Sequence, residues 1–183
     1  MRPGKPLLPQ GTAIVAPPSW RLILLSLGIA FLLALLPWPG ESRWLVPDFT
    51  LMLLLYWHIH APRPVGIGVA FTLGLLGDAA GGVLIGQHAF TYALAAFLIL
   101  NLHRRLEAFP PWGRALQIAP LLLGQALLML LLGMVFGRHS GDWRFLAGGM
   151  SAALLWYPLA LLLDVLTGRM AASPGAGEDE SRR

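Results

Sequence analysis

The amino-acid sequence predicts an all-α polytopic membrane protein, a single compact bundle of about six transmembrane helices. Three observations carry that prediction. Of 183 residues, 56% are hydrophobic and only 12% charged, with a mean hydropathy of +0.67. A soluble domain carries about a quarter charged residues, so this chain lacks the polar sequence to cover a water-facing surface. The apolar residues fall into long runs, separated by short segments rich in Pro, Gly and Arg. Most of the tryptophans, Trp20, Trp38, Trp44, Trp112 and Trp143 among them, lie near the ends of those runs, where an interfacial belt places them.

A membrane helix needs about 20 apolar residues to cross a core of about 30 Å. Residues 20–36 supply the first. That run is too long for the apolar part of a secretory signal, and it ends in Pro37-Trp38-Pro39-Gly40 without a cleavage pattern. Residues 49–59 are the second, a short span that needs Pro47-Asp48 and His58/His60 at the two interfaces. The run 65–102 is about twice the bilayer thickness as one helix. It therefore folds back at Gly81-Gly82, giving helices over 65–80 and 84–102. Residues 115–136 form the fifth, with Pro120 in its first turns where a missing donor costs little. Residues 145–166 form the sixth, kinked at Pro158. This places a membrane domain over 20–168 between two tails, 1–19 and 169–183, that read as disordered and cytoplasmic.

Six spans put ten of the thirteen lysines and arginines on one side and three, Arg43, Arg138 and Arg144, on the other. The positive-inside bias then places both termini in the cytoplasm. The same distribution rejects nucleic acid as a partner, because the basic residues sit in loops at the bilayer surface. The chain has no cysteine, which excludes thiolate metal sites and a cysteine nucleophile. No metalloprotease, nucleophile-elbow or phosphate-loop motif is present, so no enzyme activity, cofactor or metal is expected.

The polar residues inside the apolar runs are the candidates for function, since each is costly in hydrocarbon unless paired or wet. Asp48 follows Pro47 and reads as the N-cap of the second helix. Asp78, at the glycine turn, either caps that turn or the start of the fourth helix, or converges with Gln87 and His88 on an outward-facing polar pocket. Gly77 with Gly81 and Gly82 with Gly86 have the four-residue spacing that lets helices pack closely. Gln125, midway along the fifth helix, is expected to hydrogen-bond across the bundle. Asp164 is expected to pair with a cytoplasmic arginine at the headgroups. Arg104 and Arg105 close the fourth helix as a positive anchor, and Phe109–Arg114 reads as a stiff cytoplasmic elbow. His58 and His60, two residues apart, do not share a helix face and are not read as metal ligands. An aspartyl dyad of Asp78 and Asp164 requires contact between groups that this topology places about a bilayer apart.

Val46-Pro47-Asp48-Phe49 opens a Leu-rich run ending in Tyr56-Trp57. Gly68 and Gly74-Leu-Leu lead to Asp78, then come Leu84-Ile85-Gly86-Gln87-His88-Ala89 and Leu102-His103-Arg104-Arg105. These blocks resemble the MreD family of rod shape-determining inner-membrane proteins, over about residues 20–168. Glu178-Asp179-Glu180 departs from the family's basic C-terminal end. The resemblance implies residence in the bacterial inner membrane and partnership with MreC, MreB and other elongation-machinery proteins, with homo-oligomers a further option. It also implies a role in lateral peptidoglycan synthesis, and a fold similar to the substrate-binding component of energy-coupling-factor transporters. The leading functional reading is thus a membrane scaffold for cell-wall elongation. The alternative is a transporter-like module binding a small molecule or lipid headgroup near Asp78.

Overall fold

A computed structural model describes residues 18–82, 84–136 and 143–169. Of the two tails read as disordered, 1–19 and 169–183, residues 1–17 and 170–183 lie outside the described residues, as does Arg138. The described residues form six α-helices and one 3-10 turn, with no strand among them. They are α1 (Trp20–Leu35), a 3-10 helix (Gly40–Trp44), α2 (Phe49–His60), α3 (Ile67–Gly81), α4 (Gln87–Glu107), α5 (Pro111–Val135) and α6 (Phe145–Leu166). Among the described residues, α5 and α6 are long and apolar enough to cross a membrane by themselves.

Helix α2 organises the bundle. Every residue of it except Phe49 is buried, as expected of a helix apolar on all sides. At 12 residues it is only about 18 Å long, too short to cross alone. It is instead a central post, with α4 and α1 packed along it and α6 touching it. Trp57 is fully buried, and its indole N–H donates to Ser26 Oγ of α1 at 2.9 Å. The outer helices leave large apolar side chains exposed, including Leu24, Leu25 and Leu32 on α1 and Leu154 on α6. A water-facing surface avoids such a continuous apolar cover; lipid favours it.

Close helix contacts depend on small residues, but not on Gly77, Gly82 or Gly86 among those the four-residue spacing singled out. A Cβ on Gly74 would lie 2.6 Å from the Ala89 backbone, so α3 and α4 touch there. A Cβ on Gly149 would lie 2.6 Å from Ala126 Cβ, at the α5–α6 contact. Gly77, by contrast, has nothing within 4 Å of where its Cβ would stand. Gly82 and Gly86 have φ of +61° and +102°; their role is conformational. Gly82 caps the C-terminus of α3, and Gly86 turns the chain into α4. Helix α4 consequently begins at Gln87, three residues later than the apolar run suggests.

Two proline effects also differ from the expectation. Pro110-Pro111 does not form a separate elbow. Pro111 starts α5, where a fixed φ suits a helix and its missing donor is not needed. That earlier start leaves Pro120 well inside α5 rather than in its first turns.

Candidate functional site

The turn between α3 and α4 is built around one carboxylate. Asp78 is fully buried. Its Oδ2 accepts from the Gly86 N–H at 2.8 Å and the Ala89 N–H at 3.2 Å. Its Oδ1 accepts from the His88 N–H at 2.8 Å and from His88 Nδ1 at 2.7 Å. Three of these donors are the backbone groups that a helix start leaves without an intrahelical partner. Gly86 has no side chain to cap α4, so Asp78 does so from the preceding helix, and its charge suits the positive end of α4. Because a carboxylate accepts, Nδ1 of His88 carries a proton, and in the neutral ring Nε2 is the acceptor left over.

Beside this turn lies a cavity of about 660 Å³, framed by the same end of all six helices and by the 3-10 turn. Of the predicted residues, Asp48, Gly77, Gly81, Gln87, His88 and Gln125 line it. Asp78 does not line it; it stands behind His88 and fixes that ring. The expected convergence of Asp78, Gln87 and His88 on one pocket is thus two residues at the wall and one supporting them. Gln87 crosses the bundle, its Nε2 donating to the Met129 carbonyl at 2.9 Å. Gln125 was expected to make such a bond. Its side chain instead faces the cavity and makes no hydrogen bond among the described residues.

Asp48 caps α2, accepting from the Leu51 N–H at 2.9 Å, and its second oxygen accepts from Tyr92 Oη at 2.6 Å. Tyr92 therefore belongs to the site, one helical turn beyond His88, whose ring it meets edge-on at 5.7 Å. Sequence reasoning passed over it. The i, i+4 spacing from His88 was the available signal. Thr50, Arg43, Trp38 and Trp44 also line the cavity, and Arg43 lies over the Trp44 ring at 4.6 Å.

A second polar cluster sits at the opposite end of the bundle. Tyr56 Oη donates to Asp164 Oδ1 at 2.8 Å, and Arg114 approaches Asp164 Oδ2 at 3.9 Å. His60 Nδ1 donates to the Tyr56 carbonyl, leaving Nε2 to accept from Arg114 at 2.7 Å. Asp164 does pair with an arginine, and the pair lies inside the bundle, the aspartate only 4% exposed. Arg114 is accordingly turned inward, while Trp112 is 65% exposed. Arg104 and Arg105 are exposed near the end of α4, away from both clusters. Asp78 and Asp164 do not meet. Met129 and Arg114, which mark the two clusters on α5, stand about 22 Å apart along that helix. Among the described residues no group of three His, Cys, Asp or Glu side chains forms a metal site.

Comparison with known proteins follows the helical unit closely. The family model described as rod shape-determining protein MreD matches residues 19–166. The chain is 31% identical over 147 residues to a protein named rod shape-determining protein MreD from Haemophilus influenzae, covering 79% of this chain and 90% of that one. No solved structure gives a significant match.

Proposed function

Because the chain belongs to the MreD family of rod shape-determining membrane proteins, we propose that it is a non-enzymatic scaffold of the cell-wall elongation machinery. In this reading it sits in the inner membrane with six crossings and both termini in the cytoplasm. It acts with MreC and MreB to hold lateral peptidoglycan synthesis in place. The observation that carries the reading is the extent of the family match, which spans the whole helical unit from α1 to the last turn of α6. The chemistry agrees with it. Asp78 serves as a helix cap and Asp164 as an ion-pair partner, structural roles that a scaffold needs. The α3–α4 turn, with Gly81 at its edge, is the proposed contact for a partner helix, and exposed Phe109 and Trp112 are proposed to meet cytoplasmic components.

The test is capture of co-expressed MreC by the tagged protein from detergent-solubilised membranes, alongside deletion in a rod-shaped host. Stoichiometric capture and rounding of the deleted cells are expected. Gly81→Leu should abolish capture if the turn is the contact, and equal capture by that variant moves the contact elsewhere. Normal rods after deletion would sink the reading.

A further inference from the structure

We propose that the cavity beside the α3–α4 turn binds an amphiphile with an uncharged, hydroxyl- and amide-bearing head, such as an N-acylated sugar, and an apolar chain. The inference is separate from the scaffold reading and stands on the wall of the cavity. Its hydrogen-bonding capacity is unspent. Thr50 is 2% exposed, and its hydroxyl has no partner among the described residues. A buried hydroxyl without a partner is costly, and a ligand in the cavity it lines supplies one. Gln125 offers a whole amide, His88 its Nε2 acceptor, and Gln87 the Oε1 left after Nε2 bonds Met129.

The charges, in contrast, are already committed. Each oxygen of Asp48 already accepts a hydrogen bond from the protein, so its charge is partly spent on the helix cap and on Tyr92. Arg43 is the cation of the wall, exposed at the rim and stacked on Trp44. A phosphate site normally gathers several charge-assisted donors, and one rim arginine is not that. Neutral donors and acceptors interleaved with aromatic faces suit a sugar ring, whose hydroxyls bond the amides while its C–H face packs on Trp38 or Trp44. The rest of the wall, Phe31, Leu35 and Leu73 among it, is apolar and suits a chain. The volume lies within the range of small-molecule pockets.

Gly77 provides a clean block. It lines the cavity, and nothing lies within 4 Å of its missing Cβ, so Gly77→Phe fills the space without opening the α3–α4 contact. The full-length protein, in a detergent without a sugar head, is offered an equimolar mixture of a monoglycosyl diacylglycerol and phosphatidylglycerol with identical chains. Retained lipid is read by native mass spectrometry. Wild type is expected to retain the glycolipid at least about fivefold over phosphatidylglycerol, one hydrogen bond's worth of discrimination. Gly77→Phe should erase that preference with an unchanged thermal midpoint, and Thr50→Val and Gln125→Leu should each lower it severalfold. Should Gly77→Phe fail to fold, the latter two decide. Displacement by millimolar N-acetylglucosamine assigns recognition to the head alone and thus to a soluble sugar; persistence of the lipid assigns it to a glycolipid. Equal retention of both lipids by wild type, or a preference that survives all three substitutions, overturns the proposal. MreC capture, measured separately, tells this failure from failure of the scaffold.

Discussion

Removing the Asp78 carboxylate strands the N–H groups of Gly86, His88 and Ala89, and releases the His88 ring. Asp78→Ala is therefore expected to destabilise the protein by about 2–4 kcal/mol, with Asp78→Asn costing less because one acceptor oxygen remains. Reversible unfolding in mixed micelles measures both; an Ala variant as stable as wild type would refute the cap. The glycines of α3 give a sharper contrast. Gly74→Ala must push a methyl into the Ala89 backbone and should cost about 1–3 kcal/mol. Gly77→Ala meets open space and should be neutral or stabilising by up to about 1 kcal/mol. Spacing alone had favoured Gly77 and Gly81, because a sequence shows that small residues recur but not which helix face meets a neighbour. Asp48 was legible for the opposite reason: a cap and the donors it serves are adjacent in the chain.

Helix α2 is held at each end by side chains of other helices, Tyr92 reaching Asp48 at one and Asp164 meeting Tyr56 at the other. Asp164→Ala leaves the half-buried Arg114 beside His60 with no acid partner among the described residues and takes the acceptor from Tyr56 as well; it is expected to cost about 3–5 kcal/mol. Tyr56→Phe loses one bond to a charged acceptor and should cost about 1.5–3 kcal/mol. Thermal unfolding of the two variants in one detergent should keep that order, and the reverse would mean that Tyr56, not Arg114, holds the carboxylate. The helices themselves were readable from their apolar runs and from Gly81-Gly82. Their ends were less so: the apolar run continued through Leu84 and Ile85 into a turn that only the φ of Gly86 reveals. The second cluster was hidden because Tyr56, Arg114 and Asp164 lie on three helices, so nothing local in the sequence joins them.

Across the whole molecule, the Asp78 and Asp164 clusters occupy opposite ends of the bundle, and the proposed orientation puts the Asp78 end outside and the Asp164 end in the cytoplasm. The chain lacks cysteine, so a single introduced thiol reports its own side. A Cys at Glu41, whose side chain is 81% exposed, should react with an impermeant maleimide in intact spheroplasts. A Cys at Arg104 should react only after permeabilisation. The opposite pattern would invert the orientation, and labelling at both sites in intact cells would refute a crossing between them. At this scale composition made the all-helical, apolar character legible, because a bilayer sorts residues by bulk properties that hydropathy already states; the sidedness is what the labelling decides. A polar pocket at Gln87 and His88 was legible; the rest of its wall was not, since it draws on all six helices and no single stretch encodes it.

The cap on α4 also bears on the order in which the chain enters the bilayer during synthesis. Asp78 finds its donors within ten or so residues, all inside the hairpin it belongs to. That hairpin has its most expensive polar group satisfied as soon as Ala89 has emerged, before α5 exists. Helix α2 is different: Asp48 waits for Tyr92, and Tyr56 waits for Asp164, over a hundred residues later. The earlier-made helix is thus the later-finished one. It must be sheltered until the last helix arrives, and truncation before α6 should leave α2, rather than the α3–α4 hairpin, as the segment that quality control recognises.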